Sequence, residues 1–189
     1  MDSTGIKFLG EGECKCKKHG SEYRRQWRKL HIGIDAQTMQ IRAISVTSNS
    51  VSDAAVIADL LDQLPEGEHL ASVTGDGAYD TQQLYDAVIR HGATPVIPPR
   101  KNARIRKGSA FVHRNAAIAA CKRLGRGIWK AWSGYHRRSL VETKMNCIKR
   151  LGERVMARSF ESQVNELHIR AAILNRFTEL GRPQTAAVA

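Results

Sequence analysis

Residues 27–47 read WRKLHIGIDAQTMQIRAISVT, and this stretch decides the fold class. Apolar and polar side chains alternate from Trp27 to Asp35 and again from Ile41 to Thr47, as they do in half-buried strands. The polar segment DAQTMQ between the two runs suits a short turn. We therefore expect an antiparallel hairpin that buries one face of each strand in a hydrophobic core.

Beyond the hairpin, signals for helices and strands alternate. Ser52 is expected to cap a helix in the run DAAVIADLLDQL, which stops at Pro65. Residues 69–74 and 94–97 predict two further strands, and Thr81 is expected to cap the helix between them. This order predicts an α/β fold with helices around a mixed sheet. Later helices are expected at residues 116–124, 137–151 and 162–180.

Three segments predict irregular structure. Residues 5–20 (GIKFLGEGECKCKKHG) are rich in Gly and Lys, which favours a turn and an exposed loop. Residues 100–114 (RKNARIRKGSAFVHR) are basic without a clear period and predict a loop or a short insertion. Residues 181–189 are expected to be a flexible tail after a single domain that spans residues 1–180.

The composition favours a polyanionic partner. The 189 residues contain 30 Lys and Arg against 18 Asp and Glu, which gives a net charge of +12. A basic surface gains affinity for phosphates because binding releases counterions. No apolar run approaches the roughly 20 residues of a membrane-spanning helix. Cys14, Cys16, Cys121 and Cys147 lack the pairwise spacing of zinc ligands, so free thiols are expected.

Asp76 is the first candidate for chemistry. It follows the predicted strand at residues 69–74, in the turn GDGAYDT, and ligands often bind at the carboxyl ends of strands in α/β sheets. The flanking glycines leave its carboxylate open. The alternative is a turn aspartate or a helix cap. Asp80, in the same loop, suits a capping role better than metal binding because it directly precedes Thr81.

The second candidate is the segment YHRRSLVETKMNCIK, residues 135–149. On a helix with 100° per residue, four side chains project into one arc about 60° wide. Arg138 and Glu142 form an i, i+4 pair, so an exposed salt-bridge stripe is the alternative to a site. The four residues are Tyr135, Arg138, Glu142 and Lys149.

These motifs together resemble a known family. The spacing Y-x2-R-x3-E-x6-K, the turn GDGAYDT and the opening DSTGIKF are similar to the three acidic motifs of bacterial insertion-sequence transposases of the DDE type. The runs KKHGSEYRRQWRKLHIGID and WSGYHRRSLVETKM are also similar, most closely to the insertion-sequence group numbered five. The resemblance covers nearly the whole chain, and it implies a ribonuclease H-like mixed sheet flanked by helices.

The resemblance implies roles for particular residues. Asp2, Asp76 and Glu142 would be the catalytic acids and the ligands of two Mg²⁺ ions, with Mn²⁺ as a substitute. Their activity would be metal-dependent cleavage and strand transfer during transposition of an insertion sequence. Tyr135, Arg138 and Lys149 would contact DNA phosphate.

The same resemblance implies partners and a location. The partner would be double-stranded DNA, as transposon ends and target, with a homodimer by analogy, no membrane, and a cytoplasmic, nucleoid-associated location. Trp129 and Trp132 suit core or interface packing better than stacking on a base. Two basic clusters would add backbone affinity: Lys15, Lys17, Lys18, Arg24, Arg25, Arg28 and Lys29, and Arg100, Lys101, Arg104, Arg106 and Lys107.

The chain also departs from the pattern of the family. The first acid of the family follows most of a central strand, whereas only Met1 precedes Asp2, so the first strand is expected to be truncated. An amino-terminal DNA-binding segment is expected to be absent, and the chain alone is expected to transpose poorly. A non-catalytic DNA-binding remnant is the main alternative. A nuclease of the same fold without strand transfer is another.

Overall fold

A computed structural model describes residues 1–8 and 27–181. The strands are β1 (Asp2–Phe8), β2 (Arg28–Ile34), β3 (Ile41–Ser48), β4 (Ser72–Thr74), β5 (Thr94–Val96) and β6 (Arg154–Val155). The helices are α1 (Ile57–Leu61), α2 (Gln82–Arg90), α3 (Val112–Leu124), α4 (Arg126–Trp132), α5 (Ser139–Arg150) and α6 (Phe160–Leu180). Short 3-10 turns are formed by Asp53–Val56, Gly77–Tyr79, Ser109–Phe111 and Tyr135–Arg138.

Two sheets organise these elements. The larger has the order β3-β2-β1-β6, in which β1, β2 and β3 are antiparallel and β6 is parallel to β1. The smaller is a parallel pair of β4 and β5. The mixed sheet with flanking helices fits the ribonuclease H-like fold expected from the motifs, and the β2–β3 hairpin is confirmed with a register irregularity after Gly33.

Strand β1 corrects part of the sequence reading. Gly5–Phe8 were expected in a turn, but they continue the strand that begins at Asp2, and Lys7 and Phe8 pair with β6. The strand that carries the first acid therefore runs on from it. The rest of the basic segment expected to be a loop, residues 9–20, lies outside the described part of the chain, as does the tail from residue 182.

Alternation along the strands assigns the two faces of the larger sheet. Ile6, Leu30 and Ile32 are almost completely buried, and they pack with apolar residues of α5 and α6 such as Ile148 and Leu167. The opposite face carries His31, which alternates with those residues. A smaller cluster made by β3, the Asp53–Val56 turn and α1 contains Ala43, Val56 and Leu60. The sheet is thus covered by helices on both faces.

A second core surrounds β4 and β5. Its buried residues come from α1, α2 and the Ser109–Phe111 turn, with Tyr79 and Tyr85 as the largest fully buried side chains. Thr81 caps α2 as expected, since its hydroxyl accepts a hydrogen bond from the backbone N–H of Leu84. This core fixes the turn between β4 and α2, which contains Asp76.

Several expected boundaries are wrong. Ser52 makes no capping hydrogen bond, and the run after it is a 3-10 turn followed by the short α1. The strand expected at residues 69–74 is limited to β4. Helix α3 begins at Val112, four residues before the expected start. No helix of the described residues is long and apolar enough to cross a membrane.

Candidate active site

Asp2 lies at the first position of β1, on the face that α5 covers. Alternation places Asp2 and Thr4 on the same side as the buried Ile6, which packs against α5. Glu142 lies in the first turn of α5. The strand and the helix therefore carry two carboxylates that are distant in sequence to the same side of the larger sheet.

Arg138 joins these two carboxylates. Its guanidinium lies 3.2 Å from the Oδ2 of Asp2 and 2.5 Å from the Oε1 of Glu142. The expected i, i+4 pair is therefore present, but it is not a purely exposed stripe: the Arg138 side chain is 20% exposed and that of Asp2 13%, against 53% for Glu142. The buried Nε of Arg138 finds no hydrogen-bond partner among the described residues.

Asp76 reaches the same region from the other sheet. It follows β4 and caps the Gly77–Tyr79 turn by accepting a hydrogen bond of 2.8 Å from the N–H of Ala78. The backbone nitrogen of Met1 donates to the carbonyl of Thr74 at 2.6 Å, which holds the start of β1 beside the end of β4. The cap that was considered as an alternative is thus real, and it coexists with a position close to Asp2.

Gly75 permits this turn. A Cβ atom at this position would lie 3.1 Å from side-chain atoms of both Ile97 and Tyr79, closer than most Cβ contacts. Tyr79 is nearly fully buried, so it has little room to move. The glycine that precedes Asp76 is therefore a packing requirement of the turn.

The electrostatics connect Asp2 with Asp76, and Tyr135 with all three carboxylates. Burial raises the pKa of Asp2, and the charge of Asp76 raises it further, while the Ser3 N–H and Arg138 oppose the shift. Burial also raises the pKa of Tyr135; Arg138 lowers it, and Asp76, Asp2 and Glu142 each raise it. The Tyr135 hydroxyl therefore lies in the electrostatic field of all three carboxylates.

The motif residues do not share one helix. Tyr135 and Arg138 belong to a 3-10 turn before α5, so the single continuous helix expected from residue 137 onward is wrong at its start. The Tyr135 ring packs against Trp129, with centroids 5.9 Å apart, and lies 5.4 Å from the Nζ of Lys130. Lys149 is about two helical turns beyond Glu142, or roughly 10 Å, and its side-chain ammonium makes no hydrogen bond or ion pair with a described residue.

A supporting cluster behind Asp2 was not predicted. Asp53 accepts a hydrogen bond of 2.8 Å from Ser3, the residue after Asp2, and pairs with Lys29 at 2.9 Å. These favourable contacts outweigh the desolvation of Asp53 and lower its pKa. The alternation of β1, which turns Ser3 away from Asp2, was the available signal; the partner at residue 53 was not visible in the sequence.

Asp80 corrects another expectation. It does not cap α2 but forms a buried ion pair with Arg114 on α3, with distances of 2.6 Å and 3.2 Å to its two oxygens. The Tyr85 hydroxyl donates to the same carboxylate at 3.2 Å.

Trp129 is buried as expected, whereas Trp132 is 77% exposed. Of the four cysteines, Cys121 and Cys147 are free, and the other two lie outside the described residues.

The carboxylates here are suitable ligands for a pair of metal ions, but they do not form a preorganised coordination site. Carboxylate oxygens from Asp2, Asp76 and Glu142 are the ligands that Mg²⁺ prefers, and the guanidinium of Arg138 already stands in as a cation between two of them. Within residues 1–8 and 27–181, no group of three or more His, Cys, Asp or Glu side chains is close enough to hold a metal ion. Arg138 would have to release both carboxylates before ions could bind between them.

Comparison with known proteins identifies the family of the chain. No solved structure matches the chain. The family model described as "Transposase DDE domain" matches residues 1–176, which include all three acids, Arg138 and Lys149. The match extends from β1 almost to the end of α6, so it covers both sheets and both cores. The chain therefore belongs to the transposase DDE domain family.

Proposed function

We propose that this domain cleaves DNA strands and transfers them during transposition, and that Asp2, Asp76 and Glu142 are its catalytic acids. The observation that carries the proposal is the position of Arg138, which draws a strand-borne and a helix-borne carboxylate together beside the turn of Asp76. Family membership supports a transposase in general. The residue roles are our inference from the geometry.

Each side chain has a distinct task in this proposal. Asp2, Asp76 and Glu142 hold divalent cations, which when bound supply Lewis acidity for in-line displacement at phosphorus. Arg138 swings from the carboxylates to the scissile phosphate, where its planar group makes two parallel hydrogen bonds. Tyr135 borders the site and Lys149 adds a point charge further along α5. Duplex DNA is the partner.

The test is metal-dependent nicking of a supercoiled plasmid that carries the coding sequence with its native flanking DNA. Nicked circles and joined products are measured with Mg²⁺ or Mn²⁺ and with a chelator. Glu142→Gln should lower the nicking rate at least about 100-fold, because several kcal/mol of stabilisation are lost. Glu161→Gln, an exposed acid at the start of α6, is the matched control and should nick normally. Nicking that survives Glu142→Gln would refute the three-acid site.

A second candidate function is a DNA-binding remnant without catalysis. The ion pairs of Arg138 with Asp2 and Glu142 favour this candidate, because both carboxylates are bound by a side chain of the same chain. The two candidates differ in metal binding. If Mn²⁺ raises the unfolding temperature of the parent but not of Asp76→Asn, the acids hold metal. If Mn²⁺ affects neither protein and the parent binds DNA without nicking it, the remnant is the correct description.

A further inference from the structure

The positive charge of this chain is segregated along the sequence. Residues 87–141 contain no Asp or Glu at all. Every residue of this acid-free stretch belongs to the described part of the chain, from within α2 to within α5. Its cations are Arg90, Arg100, Lys101, Arg104, Arg106, Lys107, Arg114, Lys122, Arg123, Arg126, Lys130, Arg137 and Arg138.

The densest part of this stretch is the loop Arg100–Lys107, called the basic loop below. Its five cations are all exposed. None of them makes an ion pair within 4.0 Å of a carboxylate on the described residues, although seven Lys or Arg pairs of this kind exist elsewhere in the same part of the chain. The only apolar side chain of the loop larger than alanine, Ile105, is 69% exposed. Hydrophobic burial therefore does not explain the shape of this segment.

Polar contacts to the loop backbone hold that shape instead. The Asn115 side chain accepts a hydrogen bond from the N–H of Arg106 at 3.1 Å and donates to its carbonyl at 2.7 Å. Arg114, anchored on the buried Asp80, donates to the carbonyl of Arg104 at 2.7 Å. Helix α3 thus clamps the backbone at two points. The five cationic side chains remain exposed, although the Arg106 guanidinium also lies 5.3 Å from the centroid of the Phe111 ring.

The basic loop begins beside the candidate active site. Arg100 Nε approaches the carbonyl of Gly77, the residue after Asp76, at 3.5 Å, and Arg126 from α4 donates to the carbonyl of Pro99 at 2.5 Å. Two clefts of about 220 and 380 Å³ flank the loop, and both are lined by Arg100 and Ala103. Asp80, already paired with Arg114, is the one acid lining either cleft.

We propose that the basic loop is a pre-formed docking surface for the phosphate backbone of duplex DNA, continuous with the turn that carries Asp76. The proposal rests on the proposed function, because it assigns the DNA partner of that site to a second surface. Guanidinium and ammonium groups on a fixed backbone match regularly spaced phosphates, and ordering the loop in advance removes an entropic cost of binding. Such contacts position the duplex without reading its sequence.

The test measures how affinity for duplex DNA depends on salt. Binding of a fluorescein-labelled duplex of arbitrary sequence is followed by anisotropy in the presence of a chelator, so that cleavage does not contribute. The triple variant Lys101→Gln, Arg104→Gln and Lys107→Gln should reduce the slope of log K against log salt by about 3, one unit for each lost phosphate contact. The charge-retaining variant Lys101→Arg, Arg104→Lys and Lys107→Arg should keep the parental slope.

The matched control removes the same charge elsewhere. Arg42→Gln, Arg158→Gln and Arg176→Gln alter exposed or partly exposed positions on β3, before α6 and on α6. This control should bind as the parent does. If it loses as much affinity as the loop variant, total charge decides binding and the proposal is overturned. Should the triple variant fail to fold, judged by thermal unfolding, Arg104→Gln alone must still lower the slope by about 1.

Two results separate this inference from the proposed function. If the parent binds with a steep slope and the loop variant keeps that slope, the docking surface is wrong while the DNA-cleaving site stands. If the parent shows no salt-dependent binding of duplex DNA, the partner itself is wrong, and the proposed function fails together with this inference.

Discussion

Two Arg–Asp ion pairs in this chain have the same chemistry and opposite surroundings. Arg114 and Asp80 are 4% and 1% exposed, and the guanidinium is satisfied by two carboxylate oxygens and the carbonyl of Arg104. Arg138 is more exposed, divides its charge between Asp2 and Glu142, and leaves its buried Nε without a described partner. The first pair is saturated and closed. The second is incompletely satisfied, and the proposed function requires it to exchange partners.

The contrast is between the fully satisfied, buried pair of Arg114 and the partly satisfied pair of Arg138. A charge buried in low dielectric must stay paired, because an unpaired ion there costs several kcal/mol. A pair at the surface contributes little to stability, so its partner can be exchanged for a phosphate at little cost. The same residue types therefore give a rigid contact at Arg114 and, in the proposed function, an exchangeable one at Arg138. Burial and the completeness of hydrogen bonding decide which role each pair takes.

Removing the buried Arg114–Asp80 pair should reduce the free energy of unfolding most. Arg114→Met leaves the Asp80 carboxylate buried without its cation, so we expect the free energy of unfolding in urea to fall by about 3 to 5 kcal/mol. Arg123→Met, an exposed change on the same helix, is the control and should cost far less. The double variant Asp80→Leu with Arg114→Met should recover part of the loss. A double variant no more stable than Arg114→Met would show that the two residues are not coupled.

Removing the ion pairs of Arg138 should reduce the free energy of unfolding less. Arg138→Ala is expected to change the free energy of unfolding by about 1 kcal/mol or less, because its partners are partly solvated and remain hydrated. The comparison is urea denaturation beside Arg137→Ala, the exposed neighbour in the same turn. A loss as large as that of Arg114→Met would mean that Arg138 is a structural residue, and the distinction between the two pairs would collapse.

The smallest expected effect is a gain in the stability of Asp2→Asn at neutral pH, relative to the parent. Because the folded-state pKa of Asp2 is raised above about 3.8, the folded protein holds this proton more tightly than the unfolded chain does. The contribution of Asp2 to the stability of the parent therefore declines as pH rises from about 3.8 through the folded-state pKa, and this loss persists at neutral pH. Asp2→Asn should avoid it and melt slightly higher at pH 7.

Below about pH 3.8, where Asp2 is protonated in both states, the parent and Asp2→Asn should melt alike. Thermal unfolding of both proteins across pH checks this prediction, with Asp59→Asn, which lies on α1 away from the acids, as the control. An unfolding temperature for Asp2→Asn below that of the parent at pH 7 would show that Arg138 stabilises the Asp2 carboxylate more than burial destabilises it.

Local signals in the sequence predicted local structure well. The alternation at residues 27–47 predicted β2 and β3, and Thr81 was correctly identified as the cap of α2. These features depend on neighbours within a few residues. The same holds for the contact between Arg138 and Glu142, which follows from helical spacing. The acid motifs also predicted the family, and the match over residues 1–176 confirms it.

Features that depend on distant residues were missed. Asp80 looked like a cap because its partner, Arg114, lies 34 positions away on another helix. Gly5–Phe8 looked like a turn because glycine is rare in strands, yet pairing with β2 on one side and β6 on the other stabilises that conformation. Tertiary context outweighed local preference in both cases. The roles of Asp2, Asp76 and Glu142 remain predictions from the motifs.

The change from a 3-10 turn to α-helix directly before Ser139 has a consequence for sequence change in this family. Arg138 and Glu142 meet only because one helical turn separates them, so one residue inserted between them would rotate the glutamate by about 100° around the axis, away from Asp2. An insertion in the 48–52 connection after β3 moves no acid relative to another in this way. Length variation should therefore be tolerated between the motifs that carry the acids and excluded within the last of them.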